Sequence, residues 1–254
     1  MGSNLKTEEE IKIMAEAGRR LAHVLQVLKE ETSPGITTAY LDQLAFRLIG
    51  QADAKPAFLG YKPEGASRAY PYTLCASINE VVVHGQPSDY IIQDGDLVKL
   101  DLGLKFKGFY VDSAVTVGVG RIGREAKKLI EATEESLGLA IEEAHIGNTI
   151  GDIGHTVEKY ITGKKFSVVR SLTGHGIGRH LHEDPQVLNF GKPGGGEDIE
   201  VGMVLAIEPM VTMGSGRTDT LPDDSFITAD GSLAAHFEHT VAITEDGPIV
   251  LTRL

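Results

Sequence analysis

Apolar residues near the start of the chain recur three and four positions apart. Ile11, Met14, Gly18, Leu21, Leu25 and Leu28 fall on one face of a helix over roughly 7–30. Thr7 and Glu10 stand where a capping box would open that helix, and Ser33-Pro34-Gly35 breaks it. Thr37 then caps a second helix whose inner stripe is Leu41, Leu44, Leu48 and Ile49. Residues 55–72, rich in Gly, Pro and Tyr, read as an irregular loop. Strand patterns follow over 73–84, 96–104 and 108–117. In the last, Val111, Ser113, Val115 and Val117 alternate with Asp112, Ala114 and Thr116. Helices return over about 122–144 and 149–162, and further strands are expected near 166–173, 202–208, 236–243 and 248–252. Glycine-rich stretches at 191–196 and 213–216 lie between them. No low-complexity linker divides this α+β succession, so one catalytic-sized domain over 4–254 is expected.

The two halves of the chain, about 7–118 and 119–250, resemble each other. Glu30-Glu31 and Gly35-Ile36-Thr37 match Glu142-Glu143 and Gly147-Asn148-Thr149, and Leu41, Ala45 and Ile49 match Ile153, Val157 and Ile161. Gly95-Asp96-Leu97-Val98-Lys99-Leu100-Asp101 has the same pattern as Gly202-Met203-Val204-Leu205-Ala206-Ile207-Glu208. Val111-Asp112 with Val115 and Val117 resembles Phe237-Glu238 with Val241 and Ile243, and His84-Gly85 resembles His175-Gly176. A duplicated αβ unit related by a pseudo-twofold axis would bring these acids together at its centre.

Charge narrows the function. Lys and Arg number 24 against 36 Asp and Glu, a net charge of −12, which argues against binding nucleic acid or anionic membranes. The single cysteine, Cys75, excludes an intramolecular disulfide and a Cys-based zinc site and suits a reducing, cytoplasmic setting. No signal-peptide pattern or membrane-spanning apolar run is evident, and Met1-Gly2-Ser3 reads as an expression remnant. Lys6 occupies the place where a myristoylation motif wants Ser or Thr. Gly118-Val119-Gly120-Arg121-Ile122-Gly123 fits GxGxxG, but the second parallel strand ending in an acid about 20 residues on is not in the pattern, so a dinucleotide site is rejected.

Acids embedded in apolar strands need a counter-charge, because a lone buried carboxylate costs several kcal/mol or shifts its pKa until neutral. Asp101 ends Leu97-Val98-Lys99-Leu100, Glu208 ends Val204-Leu205-Ala206-Ile207, and Asp112 and Glu238 sit inside strand patterns. A half-exposed strand position or a buried salt bridge would explain any one of them. For all four together few basic neighbours are at hand, and divalent metal ions are the economical answer. His175 lies between glycines in Thr173-Gly174-His175-Gly176, which allow close backbone approach. Four carboxylates and one imidazole suit two divalent ions of the Mn²⁺, Fe²⁺ or Co²⁺ kind, able to share a bridging hydroxide and polarise a carbonyl. His23, His145, His155, His180, His236 and His239 read as surface or structural residues, His239 the least secure because it adjoins Glu238.

The run Cys75-Ala76-Ser77-Ile78-Asn79-Glu80-Val81-Val82-Val83-His84-Gly85 resembles type I methionine aminopeptidases. So do Leu100-Asp101 with Asp112 eleven residues on, Gly174-His175-Gly176-Ile177-Gly178 with His182, Ile207-Glu208-Pro209, and Phe237-Glu238-His239-Thr240. The resemblance covers about residues 7–250. It implies the pita-bread fold, two pseudo-symmetric αβ halves around a central two-metal site, and a hydrolase that removes the initiator methionine, ahead of a small second residue, through a metal-bridging hydroxide. It also implies metal ligands Asp101, Asp112, His175, Glu208 and Glu238, with Asp112 and Glu238 bridging and Glu208 also catalytic. His84 and His182 would contact substrate, and Tyr61, Tyr70, Cys75 and Phe226 would surround the methionine side chain. The implied partners are nascent peptide N-termini, with a monomeric enzyme compatible with transient ribosome association. Leu181 replaces an aromatic residue frequent in the family, the chain has no Trp where many members carry one near Phe226, and Ser113-Ala114 follows Asp112 where hydroxyl residues are common. None of these departures is expected to touch a metal ligand. Proline-specific peptidases of the same fold carry a large extra N-terminal domain, and inactive pita-bread binding modules lose ligands, whereas all five are present here.

Overall fold

The computed structural model describes residues 4–62 and 68–254; Met1-Gly2-Ser3 and the middle of the 55–72 loop lie outside the described residues. The helices are α1 (Glu8–Glu31), α2 (Thr38–Gln51), α3 (Arg124–Glu143) and α4 (Ile150–Gly163). The strands begin with β1 (Lys55–Pro56), β2 (Cys75–Ile78), β3 (Val81–Val83), β4 (Leu97–Phe106), β5 (Phe109–Gly118), β6 (Ser167–Val168), β7 (Thr173–Gly176) and β8 (Glu183–Leu188). They continue with β9 (Val204–Ile207), β10 (Met210–Thr212), β11 (Thr218–Thr220), β12 (Phe226–Thr228), β13 (Ala234–His236), β14 (Glu238–Thr244) and β15 (Gly247–Val250).

Helix α1 opens on the expected reciprocal cap. Thr7 Oγ1 accepts from Glu10 N–H at 3.3 Å, and Glu10 Oε2 accepts from Thr7 N–H at 2.9 Å. Glu8, Glu9 and Glu10 in its first turn also suit the positive end of the helix dipole. Its inner face buries Met14, Leu21, Leu25 and Leu28 against β4 and β5. Gly18 lies on that face, where a Cβ would stand 2.1 Å from the Leu251 carbonyl oxygen.

The main sheet runs β1-β4-β5-β14-β9-β7-β8, with β2 on β4 and β15 on β14. Strands β4 and β5 form a continuous hairpin from Leu97 opposite Gly118 to Phe106 opposite Phe109. Its two-residue turn, Lys107-Gly108, has positive φ at both positions, 47° and 95°, the combination that matches the strand twist. Strand β5 meets β14 in the middle, Glu238 opposite Ala114, and β14 pairs on with β9. The expected duplication is therefore visible as two arms, β2-β4-β5 and β14-β9-β7, joined at the centre. Each arm has its own core. One lies under α1 and α2, and the other under α3 and α4 with Leu129, Ile153, Val157 and Val241.

Several sequence expectations change in detail. The strand expected over 73–84 is two strands, because Asn79 turns the chain at φ 50° between β2 and β3. Strands β8, β10, β11 and β12 carry no periodicity long enough to read and were not expected. The pairing of His84-Gly85 with His175-Gly176 is not the structural one. In register, His175 stands opposite Ala206 and Ser77 opposite Lys99, and Ala206 and Lys99 are equivalent in the repeat. The counterpart of His175 is thus Ser77, while His84 follows β3 at φ 59°. Both sheet neighbours of β5 run antiparallel to it, so the Gly118–Gly123 stretch has no parallel βαβ frame for a dinucleotide. Among the described residues, no helix is long and apolar enough to cross a membrane.

Candidate metal centre and active site

The central strands converge their acids on one cavity. Asp101 on β4, Asp112 on β5, His175 on β7, Glu208 just past β9 and Glu238 at the start of β14 all line it. Cross-strand hydroxyls hold the two arms together there. Thr240 Oγ1 accepts from Asp112 N–H at 2.9 Å and donates to the Asp112 carbonyl at 2.8 Å, and Ser113 Oγ donates to the Glu238 carbonyl at 2.8 Å. The Ser113 N–H also donates to Asp112 Oδ1 at 2.9 Å, a backbone bond that any residue but proline at 113 would make. Ligand atoms of Asp112, His175 and Glu238 lie within 4.8 Å of one another. His175 Nδ1 is 2.9 Å from the Gly176 carbonyl oxygen, which places the proton on Nδ1 and turns Nε2 toward the acids, 3.6 Å from Glu208 Oε1. Glycine at 176 is required by the close approach of β8, since a Cβ would meet the Asp184 carbonyl oxygen at 2.2 Å.

The electrostatics are those of a site built for cations. Asp101, Asp112 and Glu238 are buried and Glu208 is nearly so, its side chain 12% exposed. Among the described residues no Lys or Arg pairs with any of the four, and the bases within ion-pair range of Glu208 are the histidines His175 and His236. Burial, reinforced by the neighbouring carboxylates, pushes the Asp101, Glu208 and Glu238 carboxyls well up, and burial pushes Asp112 up to about 7. Asp101 Oδ1 is buried with no hydrogen-bond partner. Lys99, fully buried two residues away, donates instead to the Asn79 carbonyl at 2.7 Å, and burial lowers its pKa to about 7. An orphaned carboxylate oxygen and four mutually repelling acids with no Lys or Arg partner among the described residues fit divalent cations.

The remaining expected residues, except Phe226, line the same space. Tyr61 Oη and His182 Nδ1 are 2.8 Å apart, and the His182 ring stands edge-on to His175 at 4.4 Å between centroids. Burial, together with His84, depresses His182 to about 4, and burial lowers His84. Tyr70, whose hydroxyl donates to the Leu74 and Gly85 carbonyls, lines the cavity with Cys75, which sits opposite Asp101 on β2. Phe226 stands behind His84, ring centroids 5.6 Å apart, and is not among the cavity's described lining. Phe58 and Leu181 do line it and complete an apolar wall.

Two features escaped the sequence. The loop carrying His182 is strapped down from the N-terminal segment. Lys6 pairs with Glu183, both side chains almost fully buried, while Glu183 Oε1 accepts from His180 N–H at 2.8 Å. His236 is not at the surface. It is 1% exposed, and its Nε2 lies 3.4 Å from Glu208 Oε2. His236 has no motif around it, and only its place two residues before Glu238 in the same apolar run hinted at the site.

Residues 12–245 match the description of metallopeptidase family M24. The methionine aminopeptidase of Clostridium perfringens is 49% identical over 98% of both chains, and methionine aminopeptidase 1 of Bacillus subtilis is 46% identical over 98% of both. The crystal structure of the methionine aminopeptidase of Thermotoga maritima superposes with a TM-score of 0.94 at 40% identity, covering 98% of this chain and 99% of that one. Its curled antiparallel sheet between two αβ halves is thus the pita-bread fold, and the chain belongs to metallopeptidase family M24, among its methionine aminopeptidases.

Proposed function

We propose that this protein removes the N-terminal methionine from peptides and nascent chains whose second residue is small, using two divalent metal ions held by Asp101, Asp112, His175, Glu208 and Glu238. The observation that carries the reading is the cluster of four buried or nearly buried carboxylates, with His175 turned toward them and, among the described residues, no Lys or Arg to neutralise them. When bound, such ions polarise the scissile carbonyl and activate water.

The chain's own residues supply the rest. His182 is neutral at pH 7, its pKa depressed to about 4. The Tyr61 hydroxyl lies 2.8 Å from its Nδ1, and when that hydroxyl donates, the ring proton sits on Nε2. His182 lines the cavity, and an Nε2–H there stabilises charge developing on the scissile carbonyl oxygen more than it stabilises the ground state. His84 holds the substrate backbone beside the reacting amide. The Glu208 carboxylate, its pKa raised by burial and by Asp101, receives the proton lost from the attacking water and returns it to the leaving nitrogen. Phe58, Tyr70, Cys75 and Leu181 form the wall for a thioether side chain, with Phe226 supporting it through His84.

Residues 4–254 act as one catalytic unit, a monomer whose macromolecular contact is with nascent N-termini and, transiently, the ribosome. The lone thiol of Cys75, buried and raised in pKa by that burial, is consistent with work in the reducing cytoplasm. The test is a peptide panel with Mn²⁺, Fe²⁺ and Co²⁺ added separately. Met-Ala-Ser should lose its methionine, and Met-Lys-Ser and Lys-Ala-Ser should stay intact. Equal rates on all three would reject the pocket and the specificity.

A further inference from the structure

His236 is held more firmly than a filler side chain needs to be. Its N–H donates to Thr116 Oγ1 at 2.9 Å, and Thr116 Oγ1 donates back to its carbonyl at 2.7 Å. Its backbone also pairs with Met210 on β10, two residues beyond Glu208. The ring therefore enters the interior from a backbone fixed on both sides. There it is fully enclosed, and neither ring nitrogen has a hydrogen-bond partner among the described residues. Buried polar atoms of this kind are uncommon and call for a reason.

The nearest polar group supplies one. Glu208 lies between two imidazoles, with Oε1 3.6 Å from His175 Nε2 and Oε2 3.4 Å from His236 Nε2. Its backbone carbonyl is anchored separately, accepting from Asn189 Nδ2 at 2.9 Å. The 3.4 Å separation exceeds the usual 2.7–3.2 Å of an N–H···O bond, so the pair is poised to close. We infer that His236 is a positioning residue for Glu208, its Nε2–H engaging Oε2 and thereby fixing the face that Oε1 presents to His175 and to a metal ion. The inference rests on Glu208 being a metal ligand and adds the group that orients it. Partners of this kind, acting behind a ligand, typically change metal affinity or activity about 10–100-fold when removed.

Two isosteric substitutions separate this role from simple packing. The side-chain amide of His236→Gln can reach the place of Nε2, whereas that of His236→Asn reaches only the place of Nδ1. The full-length protein, stripped with EDTA, is titrated with Mn²⁺ by calorimetry. His236→Gln should bind Mn²⁺ nearly as wild type does, and His236→Asn about 10–100-fold more weakly, with matching melting temperatures. Wild-type affinity in His236→Asn, or an equal loss in both variants, would overturn the inference. Should His236→Asn fail to fold, ¹⁵N shifts of the His236 ring in wild type decide. A protonated Nε2 supports the role and a protonated Nδ1 refutes it. Glu208→Gln distinguishes the two levels of the claim. If Glu208→Gln itself binds Mn²⁺ as wild type does, the ligand reading fails. If it binds weakly while His236→Asn does not, only the positioning role fails.

Discussion

Removing the metal should make the fold sensitive to alkali. In the metal-free site Asp112 is pushed from an ordinary 3.8 up to about 7 by burial, and Asp101, Glu208 and Glu238 move in the same direction. A carboxyl whose pKa is raised on folding contributes its full stability below its unfolded value, and that contribution is lost as pH rises through the folded value. For Asp112 alone, a rise from 3.8 to about 7 corresponds to about 4 kcal/mol withdrawn between about pH 4 and pH 8. Other groups tilt the curve the opposite way. His175 and His236, lowered to about 3, and His239, lowered to about 4, withdraw stability as pH falls below 6.5. Lys99, lowered to about 7, adds stability as pH rises above that value.

The difference between metal-loaded and stripped protein isolates the acids, because Lys99, His236 and His239 are common to both. Bound cations replace protons, so each proton displaced by loading near pH 7 raises affinity about tenfold between pH 6 and pH 8, about 1.4 kcal/mol. For a chain of 254 residues this widens the gap in melting temperature by about 3–6 °C per proton. The assay is thermal melting of EDTA-treated and Mn²⁺-loaded protein in steps from pH 6 to 8.5, with proton release checked by titration in two buffers. A gap that stays constant or narrows as pH rises would refute the reasoning.

The histidines should divide by role. His175→Ala should lose metal, whereas His182→Ala and His84→Ala should keep it and lose about 10²–10³ in kcat, seen by elemental analysis beside steady-state kinetics. Lys6→Met leaves Glu183 buried without its cation, so urea unfolding should show about 3–5 kcal/mol less stability. Because Glu183 adjoins His182, kcat should fall in that variant while metal content holds.

Much of the fold and of the site is legible in the sequence. The capping box at Thr7 and Glu10 and the three-four spacing behind it are local signals, and local signals survive folding unchanged. The repeat located Asp101, Asp112, Glu208 and Glu238 at the centre because duplicated strands repeat their register. What stayed hidden depends on contacts far apart in sequence. Lys6 and Glu183 are 177 positions apart, and nothing in either neighbourhood announces the other. His236 looked like any strand histidine until burial and Glu208 gave it a partner. The false pairing of His84 with His175 arose because a shared dipeptide outweighed register, which only the sheet reveals. Strands of three residues such as β11 and β12 are too short for alternation to register at all.

The central claim is that the buried carboxylates exist to hold divalent ions that the hydrolysis requires. It is tested most directly by measuring bound metal and methionine release from Met-Ala-Ser in wild type, Asp112→Asn and Glu238→Gln after stripping and reloading with Mn²⁺. Wild type should bind two ions and regain activity, while each variant should bind fewer ions and release almost no methionine, because the remaining negative charge compensates the cations less well. Wild-type metal content with normal turnover in either variant would contradict the account.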